Sequence, residues 1–274
     1  MTRLDSRPRP DVVPASRRRR DRVVPDQHGA WAFLALPVAL AVTRTGWFAL
    51  LPAVALAWVA AYPLSWAATG RLTARRPERF DRALLAWAPV VLLAGIPVLV
   101  ARPWLCWVLL GYLALWLVNL AFASGRRERS LANDLVLVAE CTLMLPVTVG
   151  IAAGTRGWSP PFSVLDAGLV VPVVACAVAL VGSVLHVKSL IRERDAPRFA
   201  TGSRAFSCAG VVVVASAAAA SGASPLVALP SVVLPFVVLA VRAWLVRGPW
   251  WRPARVGMVE LACLVLVVAG VALA

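Results

Sequence analysis

Lysine and histidine are nearly absent from this chain. Of its 28 basic residues only Lys188 is a lysine, and His28 and His186 are the two histidines, against 13 acidic residues. Charged residues make up 15% of the 274 positions and apolar ones 61%, and the mean hydropathy is +0.80. So little charge cannot coat a water-facing globule, which excludes an ordinary soluble domain and leaves a chain folded in lipid. The five cysteines, Cys106, Cys141, Cys176, Cys208 and Cys263, fall inside apolar runs without paired spacing. They read as small core residues, not as a disulfide or metal framework. The chain also lacks a phosphate loop in a strand-to-helix setting, a readable nucleophile and base, and a thiolate cluster. No cofactor and no metal is expected.

What is present is a series of long apolar runs. A bilayer core about 30 Å thick needs roughly 20 apolar residues per spanning helix, and nine runs approach that length: about 29–44, 48–68, 83–100, 103–123, 131–153, 165–187, 204–221, 225–246 and 255–273. The expected fold is therefore an all-α, polytopic membrane bundle. Basic residues fix its orientation, because cytoplasmic connections carry Lys and Arg in excess. With the N-terminus inside and the C-terminus outside, 25 of the 28 basic residues fall on the inner side, and Arg44, Arg102 and Arg156 alone remain outside. The net charge of +15 then has a topological cause and an affinity for anionic headgroups; nucleic acid is not an expected partner.

Residues 1–26, "MTRLDSRPRPDVVPASRRRRDRVVPD", are rich in Pro, Arg and Asp and lack an apolar stripe. They read as a disordered basic cytoplasmic tail without the apolar stretch of a secretory signal, and 27–274 as one transmembrane domain. Trp47, Trp104, Trp107 and Trp158 lie near span ends and are read as interfacial anchors. The small residues of "CAGVVVVASAAAASGAS" in the seventh span indicate close helix packing.

Three polar stretches lack a purely topological reason. The first is "PDQHGAW", where Asp26 can cap the first helix and Gln27 and His28 sit at a membrane entrance. The second is "RRERSLANDLVLVAE". Ser130 can cap the fifth helix, and Asn133 and Asp134 occupy its first turn, where negative charge suits the helix dipole. Glu140 lies two turns beyond Asn133 on the same face, about 10 Å deeper. An acid there costs on the order of 3 kcal/mol, so it should face the interior and find a partner, for which Asn119 is a candidate. The third stretch is "VLHVKSLIRERD". If the sixth helix continues past Leu190, Lys188 and Arg192 share a face. Lys188 is either snorkelling to headgroups or supplying a compact charge that arginine cannot imitate.

"PDQHGAW", "RERSLAND" and "VKSLIRER", in that order, resemble the signature segments of the YwiC-like family of bacterial membrane proteins. That resemblance implies a multi-pass protein of the bacterial cytoplasmic membrane. The helix count and orientation are also similar to the UbiA superfamily of prenyltransferases, which hold isoprenyl diphosphates through magnesium on aspartate-rich motifs after helices two and six. Here those places carry "RLTARRPERFDR" and "HVKSLIRERD", where basic groups outnumber acids. Magnesium requires carboxylate oxygens, so metal-dependent prenyl transfer is not expected.

Arginine and lysine can instead pair with phosphate oxygens directly. The leading expectation is a cytoplasmic-side basic pocket of Arg75, Arg76, Lys188 and Arg192 that binds an anionic isoprenoid or phospholipid without metal, with Gln27, Asn133 and Glu140 as further ligand-binding candidates. His28 and His186 are the candidate proton carriers, since histidine titrates near neutral pH. A small proton-coupled transporter centred on Glu140 and a membrane scaffold for a protein partner are the competing readings.

Overall fold

The protein is described by a computed structural model covering residues 23–25, 29–222, 224–248 and 251–274. The stretch 1–22 of the basic tail, together with Asp26, Gln27 and His28, lies outside the described residues. Nine helices run through the rest: α1 (Ala30–Thr45), α2 (Leu51–Thr73), α3 (Asp81–Ala101), α4 (Leu105–Ser124), α5 (Leu131–Ala152), α6 (Ala167–Val187), α7 (Pro197–Ala220), α8 (Pro225–Leu245) and α9 (Pro253–Ala272). A 3-10 turn at Pro77–Phe80 leads into α3, a π-turn at Lys188–Arg192 prolongs α6, and a second π-turn at Leu229–Val233 interrupts α8. There is no strand among the described residues. Eight helices are long and apolar enough to cross a membrane, and α1 is a shorter apolar helix of 16 residues.

Three boundaries differ by five residues or more from the sequence reading, the first being the second helix, which runs on to Thr73 instead of ending near 68. The sixth helix continues to Arg192, and the seventh begins at Pro197, seven residues before 204. Proline at the first helical position presets the backbone dihedral and lacks only an amide the helix could not use. Arg198 and Arg204 are tolerated in this first part of α7 because long basic side chains reach the interface from a buried stem. Ser130 caps α5 by accepting from the Asn133 amide at 3.2 Å, and Asp166 caps α6 by accepting from the Leu169 amide at 3.0 Å. Ser130→Ala should therefore cost about 1 kcal/mol, read as a lowered midpoint in thermal unfolding in detergent.

Contacts between the connections sort onto two ends. At one end Arg44 pairs with Asp166, Arg102 Nε donates to the Ile151 carbonyl at 3.1 Å, and Trp107 Nε1 donates to the Trp158 carbonyl at 3.0 Å. At the other end Arg71 meets Asp81 at 2.8 Å, and Lys188 meets Asp134 at 2.7 Å. The first set joins only connections that the alternating topology places outside, the second only connections it places inside. The protein is a multi-pass integral membrane bundle.

The main core is built by α1 and α5 to α9, around Leu40, Leu145, Leu180, Val214, Phe236 and Val267. Within it α6 packs closely on α7, where Ser203, Ser207, Gly210, Val214 and Ala217 recur at helical spacing as a buried stripe. A Cβ at Gly210 would lie 2.6 Å from Val178 Cγ1, which is why small residues occupy that stripe. Helices α2, α3 and α4 flank this core, and α4 leaves Leu109, Leu110, Leu113 and Leu117 exposed, as a lipid-facing helix requires.

Residue types at the span ends divide. Trp47 is 76% exposed, and Trp107 and Trp158 are likewise on the surface, as anchors should be. Trp104, at 2%, is instead a core residue packed with Val54, Val98 and Met144. Cys141, Cys176 and Cys263 are buried, whereas Cys208 is exposed and Cys106 half-buried. At the outer end of α9 a Cβ on Gly270 would overlap the Ser231 carbonyl of the α8 π-turn. Backbone cannot yield as a side-chain tip can, so Gly270→Val should cost about 1–3 kcal/mol, measured as a loss of unfolding midpoint.

Candidate functional site

The polar side chains inside the bundle form three groups. The first stands at the inner ends of α5 and α6. Lys188 is 3% exposed. Its Nζ contacts Asp134 Oδ2 at 2.7 Å and donates to the Arg129 carbonyl at 2.7 Å, while Arg192 Nη1 lies 4.0 Å from Asp134 Oδ1. The stretches "RERSLAND" and "VKSLIRER" thus fold against each other. Asp134, assigned from the sequence to the helix dipole, is also the counter-ion of the single lysine. Asn133 closes the same turn, its Nδ2 donating to the Glu128 carbonyl at 3.0 Å.

The second group lies deeper between α4 and α5. Asn119 Nδ2 donates to Glu140 Oε1 at 2.8 Å, and the Tyr112 hydroxyl donates to the Glu140 carbonyl at 2.9 Å. Asn119 is the partner the depth of Glu140 called for.

The third group was not singled out from the sequence. Arg242 of α8 and Glu260 of α9 form a buried ion pair, Nη1 to Oε2 at 2.6 Å, and Ser183 of α6 donates to the same oxygen at 2.5 Å. His186, one turn beyond Ser183 on α6, is 1% exposed. The available signal was an acid seven residues into an apolar helix, which the cost of an intramembrane charge marks out. Arg242, by contrast, is accounted for in the sequence by the inner-side basic excess.

Arg75 and Arg76 are exposed on the α2–α3 connection. No ion pair or hydrogen bond joins them to His186, Lys188 or Arg192 among the described residues. A different set of arginines surrounds a cavity of about 320 Å³ at the inner ends of α6, α7 and α8, lined by Ser189, Leu190, Arg194, Asp195, Arg204 and Arg247 among others. Trp244 packs against two of the lining arginines: the guanidinium carbons of Arg204 and Arg247 lie 5.0 and 5.4 Å from its ring centroid, and Arg247 Nε donates to its carbonyl. No carboxylate pairs with Arg194, Arg204 or Arg247 among the described residues.

Comparison with known proteins bears on the same segments. Residues 24–149 match the family described as YwiC-like protein. Over these residues the chain is similar to that family. The match contains "PDQHGAW" and "RERSLAND"; "VKSLIRER" lies beyond it. A longer similarity covers 249 residues at 28% identity, 90% of this chain and 96% of the Bacillus subtilis (strain 168) protein described as "Uncharacterized protein YwiC". No solved structure matches the chain. The YwiC-like region therefore supplies Asp134 and Arg129, and the remainder supplies Lys188, the arginine-lined cavity and the Arg242–Glu260 pair.

Proposed function

We propose that the protein binds an anionic amphiphile, its phosphate-bearing headgroup seated in the inner-face cavity between α6, α7 and α8. One observation carries this reading: three arginines that form no ion pair among the described residues line an inner-face cavity of about 320 Å³ in which Asp195 is the one acidic residue, so the lining keeps a net positive charge. That volume is at the small end of ligand sites and suits a headgroup whose tails remain in the bilayer. Guanidinium groups match phosphate oxygens bidentately and need no metal to do so. The π-turn at Lys188–Arg192 contributes by carrying Ser189 and Leu190 to the cavity wall while Lys188 faces Asp134; such turns often mark functional positions in helices.

This reading shares with the expectation from the sequence only the inner face and direct pairing of phosphate with basic groups; Arg75, Arg76, Lys188 and Arg192 are not among the residues lining the cavity, and the site is centred instead on Arg194, Arg204 and Arg247. Native mass spectrometry of the full chain with phosphatidic acid, an isoprenyl phosphate and inorganic phosphate tests it, with and without a magnesium chelator. Retention of a phosphate-bearing lipid through chelation is the expected result. Arg204→Ala should weaken it about tenfold or more, the effect of losing charge-assisted hydrogen bonds worth roughly 1.5–3 kcal/mol. Equal retention by wild type and an Arg194→Ala, Arg204→Ala double variant would exclude the cavity.

A further inference from the structure

The Arg242–Glu260 pair leaves more hydrogen-bonding capacity than the protein satisfies. Glu260 Oε2 receives both Arg242 and Ser183, but Glu260 Oε1, Arg242 Nε, Arg242 Nη2 and His186 Nε2 are buried with no nitrogen or oxygen partner in the protein, as is Ser203 Oγ, and the Cys263 sulfur beside Arg242 is only a weak acceptor. His186, Ser203, Arg242 and Glu260 are each at most 5% exposed. They also belong together. His186 follows Ser183 by one turn, and Cys263, one turn after Glu260, lies beside Arg242. Gly182 of α6 sits against Phe206 of α7, so in this antiparallel pair His186 stands opposite the turn that carries Ser203.

Buried polar atoms in folded proteins are almost always paired, with protein or with ordered water, and in a bilayer interior an unpaired group is more costly still. The unmet set contains donors on Arg242 and an acceptor on Glu260 side by side. An anion would answer the guanidinium and be repelled by Oε1, and a cation would meet the reverse conflict. A small neutral molecule that both donates and accepts satisfies both.

We infer that Ser183, His186, Ser203, Arg242 and Glu260 line a water-filled site inside the membrane-spanning bundle, reached from the inner face. The route is short: Ser189, which donates to the His186 carbonyl at 2.7 Å, and Ala243, the neighbour of Arg242, both line the inner-face cavity. Water there completes the coordination of the ion pair and gives protons a path from the inner side to Glu260. Glu140 sits on the α4–α5 side with its own Asn119 partner and is not part of this path. The inference does not depend on what the inner-face cavity binds.

Hydroxyl-radical labelling by X-ray radiolysis tests it on the full chain in phosphatidylcholine nanodiscs, with no phosphate-only ligand added, because modification requires water next to the side chain. Cys141 on α5 and Cys176, two turns before Ser183 on α6, are fully buried in the same bundle and serve as internal controls. Cys263 and His186 should be modified several-fold faster than these controls are, Cys263 being compared with them directly. In an Arg242→Met, Glu260→Met double variant the Cys263 rate should fall to theirs. The wild-type ratio decides even if that variant does not fold: Cys263 as unreactive as Cys141 and Cys176, with His186 unmodified, would overturn the site. Loss of lipid binding with Cys263 labelling retained would count against the headgroup reading alone.

Discussion

Glu260→Ala is expected to destabilise the bundle by about 3–5 kcal/mol, the cost of leaving one partner of a buried ion pair uncompensated. Arg242→Ala should cost about as much, because it strands a carboxylate whose only other partner among the described residues is the Ser183 hydroxyl, at 2.5 Å. The two effects should not add. An Arg242→Met, Glu260→Met chain replaces both charges with apolar groups of similar length and should be more stable than either single variant, since the burial penalty disappears along with the attraction. Chemical unfolding in mixed micelles, followed by tryptophan fluorescence, gives the cycle. Additive losses would mean that the two side chains do not act as a pair. An apolar pair could hold α8 to α9 without this burial penalty, which is why an ion pair at this depth marks a candidate functional position.

The same pair shows where sequence reasoning stops. The long apolar helices and the sorting of their connections onto two ends were legible because each rests on a property of a single run or connection: length against bilayer thickness, or the distribution of arginine. The Asn119–Glu140 bond was legible for a related reason, since consecutive antiparallel helices are neighbours and the depth of a residue follows from its rise along the helix. Arg242 and Glu260 also lie on consecutive helices, yet Arg242 already had an adequate explanation as a topology residue. Ser183 came from a helix distant in the chain, which no periodicity announces. Asp134 was hidden in the same way, because a carboxylate in the first turn of a helix satisfies a local rule and gives no sign of a partner on α6. Trp104 illustrates the converse: its place beside a span end fits an anchor, and only the packing of α2, α3 and α5 around it makes it core. The cavity required three helix ends to be brought together and two guanidinium groups to be set around Trp244, none of which has a signature in one segment.

Lys188→Ala is expected to produce the other large loss, toward the lower end of the roughly 3–5 kcal/mol range because Asp134 retains some solvent contact and Arg192 stands nearby. Removing the ammonium leaves both Asp134 Oδ2 and the Arg129 carbonyl without the group that joins them at 2.7 Å, so the inner ends of α5 and α6 should separate first. Lys188→Arg should recover only part of the stability. A compact ammonium on a flexible stem can point one donor at a carboxylate and another at a carbonyl in a small space, whereas the planar guanidinium is broader and its donors diverge in fixed directions. In a chain that uses arginine at every other basic position, this is a physical reason for one lysine at a site that is 3% exposed. Hydrogen exchange of the α5 and α6 inner turns reads the local effect, and the phosphate-lipid assay separates it from ligand binding. Faster exchange in Lys188→Ala with lipid retention at or near wild type is the expected pattern. Loss of lipid in Lys188→Ala at unchanged exchange would instead make the lysine a direct headgroup contact and shift the binding site from Arg204 and Arg247 toward Lys188 and Arg192.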